Sequence, residues 1–334
     1  MFKQLFLVLF IIIFAQNSFS QSEDIPYDSY RDNIVVHTSL TYRDAPFSLK
    51  GNFGEVDKLR YKANLNLLHG IGFAYKWFAI NLNYKIPSYL RNREKYGETK
   101  YFDVGFQFTL KKKLFFRIDF HDYNGYGIKK ADAISDELPL SSANYLLNNE
   151  IKSWAIGINT YYLIGTDLNM KAAIGIASRY NANSHGFYIK FTTNLHGVSS
   201  PDGLMPYDYI DSEKSVFRAK SITAFDFGAI PGYAYINNIN GWQFGIFAGL
   251  GGVIQAKSFA YEEKSRSFLG LSPRIDTRMQ GGYNIDKWFI MLNGSIDLKA
   301  IHFSDLKYNQ FYYSLQLTYG YRFDAREKKK KSKK

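Results

Sequence analysis

The sequence predicts an all-β protein, an antiparallel transmembrane β-barrel of about twelve strands. Three observations predict it. Between residues 34 and 323, segments of about ten residues alternate apolar and polar side chains, which is the length that a tilted strand needs to cross a bilayer. Short turns and long polar loops connect these segments. The last segment ends in an aromatic residue, Phe323.

The composition fits a barrel better than a bundle of helices. The chain has 334 residues, of which 18% are aromatic, including 27 Tyr and 28 Phe. Its mean hydropathy is −0.28. This value excludes a helical membrane protein, because helices that cross bilayers need long uninterrupted apolar runs. Abundant Tyr and Phe suit a protein whose rings lie at the two membrane–water boundaries.

The N-terminal segment predicts export. Lys3 precedes an apolar run at 5–15, and the small residues Ser18 and Ser20 follow. This is the arrangement of a secretory signal peptide over residues 1–20, and its apolar run is too short to span a bilayer as a helix. We expect a periplasmic segment at 21–33 and then the barrel at 34–323, in the outer membrane of a Gram-negative cell.

The C-terminal end carries much of the positive charge. The net charge is +12, and segment 324–334 alone holds seven basic and two acidic residues. An exported chain of this kind has no nucleic acid to bind, so we expect no nucleic-acid partner. Like-charged runs favour a disordered, solvated tail. Attraction of this tail to anionic lipid head groups is the alternative.

No residue pattern predicts a metal or a cofactor. The chain has no cysteine, which excludes disulfides and thiolate ligands. Its six histidines are not arranged at the spacings of metal ligands such as His-x₃-His. We therefore expect neither a metal nor a cofactor.

The segments at 102–121 form the first clear pair of strands. Apolar side chains hold the even positions, whereas Arg117, Asp119 and His121 hold odd positions that we assign to the lumen. Because His121 lies beside Asp122, a catalytic role for this histidine is the alternative. A lumenal ladder of ion pairs is the preferred interpretation, because such networks perturb titratable groups as active sites do.

Two further segments place charges on the predicted lumenal face. Arg274, Asp276 and Arg278 alternate with apolar or small side chains on one segment. Lys171 and Arg179 fall on the same kind of face in an earlier one. We predict that all five line the lumen, where charges from different strands can pair.

The last segment, 311–323, predicts both a strand and an assembly signal. Its odd positions are all aromatic or leucine, with aromatics at both ends, as two interfacial girdles around an apolar band require. Tyr319, Tyr321 and Phe323 resemble the terminal signal that the barrel assembly machinery reads. The basic tail departs from the usual pattern, in which the aromatic residue is the last one.

The number of strands follows from where the chain ends must lie. Both termini should be periplasmic, so the number is even; we prefer twelve within a range of twelve to fourteen. The uncertain region lies between Arg179 and Tyr233. A soluble β-sandwich or lipocalin-like barrel is the rival fold, because alternation alone does not distinguish inside from outside.

Several stretches resemble an uncharacterised family of Gram-negative outer-membrane barrels that carries only a domain-of-unknown-function label. They are 72–87 (GFAYKWFAINLNYKIP), 95–108 (KYGETKYFDVGFQF), 116–126 (FRIDFHDYNGY) and 232–235 (GYAY). The resemblance covers most of the mature chain. It implies location and architecture, and it carries no activity, substrate or catalytic residue.

Three functions remain open from the sequence. A pore or solute-passage barrel of unknown substrate is preferred, with no enzymatic role. The second is a non-conducting structural or assembly barrel whose lumen is filled by ion pairs. The third is an outer-membrane lipid-modifying enzyme. The expected partners are outer-membrane lipids and, during biogenesis, the assembly machinery; the sequence does not determine the oligomeric state.

Overall fold

A computed structural model describes most of the chain after residue 24. It covers residues 25–53, 56–65, 67–76, 78–85, 93–110, 113–129, 131–132, 134–135, 137–165, 167–206 and 214–324. The predicted signal peptide at 1–20 and all but the first residue of the predicted tail at 324–334 lie outside these residues, so both stay predictions.

Twelve of the described strands form one closed antiparallel ring. In ring order they are β2 (Asn33–Asp44), β5 (Leu68–Tyr75), β6 (Phe78–Lys85), β7 (Lys100–Leu110), β8 (Leu114–Lys129), β9 (Tyr145–Leu163), β11 (Ser184–Ser199), β12 (Ser221–Ile239), β13 (Trp242–Tyr261), β14 (Lys264–Asn284), β15 (Trp288–His302) and β16 (Lys307–Asp324). The remaining strands are β1 (Tyr27–Ser29), β3 (Phe47–Phe53), β4 (Val56–Ala63) and β10 (Ser178–Tyr180). Connections contain helices α1 (Arg93–Tyr96) and α2 (Met170–Ile174) and a 3₁₀ helix, Ser215–Arg218.

The ring closes between its first and last strands. β16 pairs with β2 from Asp324↔Asn33 to Tyr313↔Asp44, and with β15 on its other side. Closure satisfies the backbone hydrogen bonds that an open sheet would leave unpaired in lipid. The predicted transmembrane barrel and the preferred number of twelve strands are confirmed.

The two ends of the barrel differ in their connections. β12 and β13 are joined by Asn240-Gly241, whose φ angles of 51° and 84° are those of a tight Asn-Gly hairpin turn. The ends of the ring near Asn33 and Asp324 lie at the same end as this turn. Barrels of this class place short turns in the periplasm, so we assign this end to the periplasm and the opposite end to the outside.

The outward face is apolar across the predicted membrane band. Exposed large apolar side chains alternate along the strands, and on β16 they are Phe311, Leu315, Leu317, Tyr319, Tyr321 and Phe323. Such a continuous apolar surface would be unfavourable in water. Facing lipid, it is favourable, because the aromatics lie near the two boundaries and the leucines between them.

A hairpin completes the wall at the outer end. β2, β5, β6 and β7 are shorter than the other ring strands, and β3–β4 fills the space beyond them. β3 pairs with β16 (Lys50↔Lys307) and β4 pairs with β8 (Arg60↔Lys129). The outer end of the wall therefore consists of β3, β4, β8, β9 and β11–β16.

The pairing between β14 and β15 stops partway up the wall. The two strands pair along 276–284 and 289–297. Both continue outward, β14 through 264–275 and β15 through 298–302, without pairing with each other. We call this interruption the β14–β15 seam.

Side chains replace the missing hydrogen bonds at the seam. Arg274 Nη1 donates to the carbonyl of Leu298 at 2.7 Å, and Gln255 Nε2 donates to the carbonyl of Ala300 at 2.9 Å. The seam therefore closes without a backbone ladder, and its carbonyls still have donors.

None of the helices in the described ranges is both long and apolar enough to cross a membrane.

Candidate functional site

The middle of the lumen is lined by charged side chains. Alternation turns the predicted residues of β8 and β14 inward, and they are Arg117, Asp119, His121, Arg274, Asp276 and Arg278. That any of these residues faces a solute pathway stays a prediction. Their partners show what the arrangement does.

Asp276 is the centre of one cluster. Lys190 Nζ donates to its carboxylate at 2.9 Å, the hydroxyl of Tyr188 donates at 3.0 Å and that of Tyr161 at 3.3 Å. Arg278 Nε lies 3.7 Å away. These groups come from β9, β11 and β14, so the cluster ties together strands that are not all neighbours.

Asp226 is the centre of a second, fully buried cluster nearer the outer end. Its carboxylate contacts the guanidinium of Arg274, and it lies 3.0 Å from His196 Nε2. Gln255 Nε2 donates to the other carboxylate oxygen at 2.8 Å. The same Arg274 and Gln255 seal the seam, so the lumenal cluster and the wall support each other.

A third cluster joins β8 to β2 and β7. Arg117 Nε donates to Asp119 at 2.8 Å, and His121 Nδ1 lies 3.2 Å from Asp103 Oδ2. The guanidinium of Arg43 contacts the same Asp103 carboxylate. The predicted ladder of charges on β8 is therefore paired along the strand and across strands.

Two of the lumenal histidines, His121 and His196, are not arranged for catalysis on lipid. His121 and His196 point into the lumen, and each faces an aspartate. Neither has a serine hydroxyl as a hydrogen-bond partner in the described structure, so no nucleophile is aligned with either histidine. Among the described residues, no group of three or more acidic or histidine side chains is arranged to hold a metal ion.

The spaces left in the lumen are small. One cavity of 120 Å³ lies between β8, β14 and α2, and another of 90 Å³ lies between Arg117, Lys190 and Lys299. Charged and amide side chains line both cavities, so they suit ordered water molecules.

A segment between β9 and β11 fills the periplasmic mouth. We call the described residues of this segment, 164–165 and 167–183, with α2 and β10, the periplasmic plug. Arg322 donates to the carbonyls of Gly175 at 2.8 Å and Ile176 at 2.9 Å. Gln243 Nε2 donates to the carbonyl of Ala172 at 2.8 Å. Barrel side chains thus satisfy backbone groups of the plug, and β10 pairs with β1 to hold the N-terminal segment there.

Two of the predicted lumenal residues belong to the plug rather than to a barrel strand. Lys171 lies on α2 and donates to the carbonyl of Lys76 at 3.1 Å. Arg179 lies on β10 and pairs with Asp28 and Asp286, each at 2.9 Å. The prediction of a transmembrane strand through both was wrong, because this segment folds back into the mouth of the barrel.

Burial shifts the pKa of two groups at this mouth. Burial, helped by the charge of Arg31, lowers the pKa of the Lys171 ammonium. Tyr30 donates to Asp286 at 2.8 Å, and burial together with this hydrogen bond raises the pKa of the phenol. Lys171 ties the plug to the β5–β6 turn, and Tyr30 ties the N-terminal segment to the β14–β15 turn.

An apolar core closes the outer end. Phe47 stacks on Tyr61 with ring centroids 4.2 Å apart and meets Tyr126 edge-on at 5.1 Å. The hydroxyl of Tyr61 donates to the carbonyl of Leu204 in the loop after β11 at 2.6 Å. These side chains belong to one large buried cluster that combines the β3–β4 hairpin, the outer loops and the inner faces of the strands.

Sequence reasoning did not single out His196, Gln255 or Tyr161. Alternation on β9, β11 and β13 would have assigned each to the lumen. It would not have shown that His196 and Gln255 meet at Asp226, since that contact depends on the register between β11, β12 and β13.

Comparison with protein families gives a match over most of the chain. The family described as a domain of unknown function, DUF4421, matches residues 27–323. The chain belongs to this family. The expected resemblance to an uncharacterised family of outer-membrane barrels is thereby confirmed, and the match spans the whole barrel with β1. A search of curated proteins gave no match.

Solved structures with a similar fold are outer-membrane proteins. The protease OmpT of Escherichia coli has 8% identity and a TM-score of 0.39, covering 91% of this chain and 100% of its own. The COG4313 outer membrane channel of Pseudomonas putida F1 has 11% identity and 0.34, with coverages of 91% and 100%. The P. putida toluene transporter TodX has 10% identity and 0.30, with 87% and 90%.

Proposed function

We propose that this DUF4421 protein is a non-conducting outer-membrane barrel with no enzymatic role, whose lumen is a structural core. The observation that carries the proposal is the cluster around Asp276, where side chains from β9, β11 and β14 meet inside the ring. A solute pathway through the middle of the barrel would have to break these contacts.

Three layers support this interpretation. The periplasmic plug fills one mouth, paired charges fill the middle, and the apolar core around Phe47 and Tyr61 fills the other end. Buried charges are costly unless they are paired, and each of four lumenal carboxylates, Asp103, Asp119, Asp226 and Asp276, has a cationic partner. A lumen of paired charges stabilises the barrel, whereas a pore lining is hydrated.

The positions of His121 and His196 argue against a lipid-modifying enzyme that uses either of them. Such an enzyme needs its reactive groups where an acyl chain or ester can reach them. His121 and His196 lie inside the ring, and their partners are Asp103 and Asp226. On the outward face, His69 and His185 contact the hydroxyls of Thr38 and Tyr233, and neither has a carboxylate partner in the described structure.

The chain has no cysteine, so single cysteines can test the lumen without background. Ser295 lines both lumenal cavities, and its hydroxyl lies 2.8 Å from that of Ser314. We expect Ser295→Cys in the refolded barrel to resist a membrane-impermeant maleimide. The matched control, Ser267→Cys on the exposed end of β14, should react rapidly.

Conductance provides the second readout. The refolded protein should show no stable single-channel steps in planar bilayers. Rapid labelling of Ser295→Cys together with channel steps would contradict the proposal. Folding of each variant is checked by the heat-modifiable shift on gels, so a failure to fold is not mistaken for a closed lumen.

A pore that opens at the plug is the second candidate. One observation favours it: the 120 Å³ cavity is bordered by Met170, Ile174 and Ile176 of the plug. Moving the plug would join this cavity to the periplasm. Replacing residues 166–182 by a short Asn-Gly turn removes the plug. Channel steps from this variant would show that the outer core also opens. If the outer core stays shut, the variant remains silent.

A further inference from the structure

Five basic residues face outward beside the β3–β4 hairpin. The register places Lys50 opposite Lys58 and Arg60 opposite Lys129, and cross-strand partners share a face. Lys62 follows on the same face of β4. The intervening residues of β4, Leu59 and Tyr61, are fully buried on the inner side. We call Lys50, Lys58, Arg60, Lys62 and Lys129 the basic patch.

Acidic partners are almost absent from the patch. Lys50 Nζ lies 3.9 Å from Asp57, whose side chain is 80% exposed. Within the described residues, no carboxylate pairs with Lys58, Arg60, Lys62 or Lys129. Side chains two apart on a strand are about 6.6 Å apart, and facing residues about 5 Å, so the patch concentrates positive charge on a small area.

An apolar groove of 470 Å³ runs along the outer wall below the patch. It begins at the β14–β15 seam with Ile275 and Leu298, crosses Phe311 and Pro46, and ends against Lys58, Arg60 and Lys62. One end of the groove is thus apolar and the other is cationic.

The groove rises through the outer half of the membrane. Ile275 lies nine residues above the periplasmic end of β14, and Phe311 lies ten residues above Tyr321, which pairs with Trp288 at the start of β15. A tilted strand climbs about 2.5 Å per residue, which puts these residues about 23 Å and 25 Å above the periplasmic boundary of the apolar band. Phe311 therefore lies at the outer boundary, and Arg60, in the row of Asn309, lies in the head-group layer.

We propose that the basic patch and this groove bind a phosphorylated lipid of the outer leaflet, with its phosphates on Lys58, Arg60 and Lys62 and its acyl chain along Phe311, Leu298 and Ile275. Because the apolar groove is continuous with the cations, the site favours a lipid over a free anion. The height of the patch selects the outer leaflet. The site lies on the outside of the wall and is independent of whether the lumen conducts.

The test uses the refolded full-length barrel in detergent, titrated with bisphosphorylated lipid A. Binding is measured by native mass spectrometry and by the rise in melting temperature. The triple variant Lys58→Gln/Arg60→Gln/Lys62→Gln should bind about 100-fold more weakly, since each basic residue near a membrane surface contributes about a factor of five. Lipid A with both phosphates removed should bind the native protein as weakly as intact lipid A binds the triple variant.

The matched control removes the same charge outside the patch. Lys220→Gln/Lys264→Gln/Arg266→Gln changes three exposed cations at the same end of the barrel, and it should bind lipid A as the native protein does. Equal binding of the dephosphorylated lipid, or full binding by the patch variant, would overturn the proposal. Stabilisation by inorganic phosphate alone, matching that by lipid A, would show an ion site and overturn it too.

Discussion

The ammonium of Lys190 lies 2.9 Å from the carboxylate of Asp276, although two strands of the wall, β12 and β13, separate the strands that carry them. The contact therefore passes through the lumen rather than along the wall. Only 8% of the Lys190 side chain and 3% of the Asp276 side chain are exposed. A charge pair this deep belongs to a core.

The first prediction concerns this pair. Asp276→Asn keeps the shape but leaves Lys190 and Arg278 buried without a carboxylate, which should lower the free energy of unfolding by about 3–5 kcal/mol. Urea unfolding of the refolded barrel, followed by Trp fluorescence, measures it. Adding Lys190→Met to the variant removes the unpaired ammonium and should recover part of the loss.

A control separates burial from charge. Asp57→Asn removes a carboxylate that is 80% exposed and 3.9 Å from Lys50, and it should change stability by less than about 1 kcal/mol. Equal effects of the two substitutions would show that the lumen is hydrated and that Asp276 is not part of a core.

The fold was largely predictable from the sequence, because lipid imposes a period of two on every strand. The inward faces of Arg117, Asp119 and Asp276 follow from that period alone. The contact of Lys190 with Asp276 does not. It depends on how the ring closes and on the reach of side chains across the lumen, which no local pattern encodes.

The plug shows where alternation misleads. Met170, Ala172 and Ile174 alternate with Lys171 and small residues, which resembles a strand. The helix signals lie at its ends: the side chain of Asn169 accepts hydrogen bonds from the first turn of α2, and Gly175 ends it at φ 82°. Cap residues this close together outweigh a short alternation of small residues.

The second prediction concerns the seam. Gln255→Leu removes the donor to the carbonyl of Ala300 and to Asp226. The Ala300 carbonyl then keeps only the longer hydrogen bond from Ser272 Oγ at 3.3 Å, so the variant should lose about 1 kcal/mol, and the loss should be local. Amides at 298–302 should exchange with deuterium faster, while Ser258→Ala on the outward face of the same strand leaves them unchanged. Unchanged exchange in Gln255→Leu would mean that the seam does not depend on this side chain.

The third prediction concerns the anchor of the plug. Arg322 donates to Gly175, Ile176 and Asn284, and its guanidinium lies 4.1 Å from the ring centroid of Tyr30. In Arg322→Gln, the glutamine side chain cannot make all of these contacts, so the plug should loosen. Trypsin should then cleave after Lys171 faster. The exposed Lys287→Gln is the control. If both variants are cut at the native rate, other contacts suffice to hold the plug.

The last prediction tests which face of the wall meets lipid. Ile246 of β13 is 45% exposed and lies four residues beyond Trp242, near the middle of the apolar band. Ile246→Arg should cost about 2–4 kcal/mol, because a charge at mid-bilayer loses its hydration. Ser258→Arg, twelve residues further out on the same face, should cost at most about 1 kcal/mol, since it lies beyond the apolar band. Unfolding in lipid vesicles measures both free energies. Similar small costs at the two positions would show that this face of the wall meets water rather than lipid.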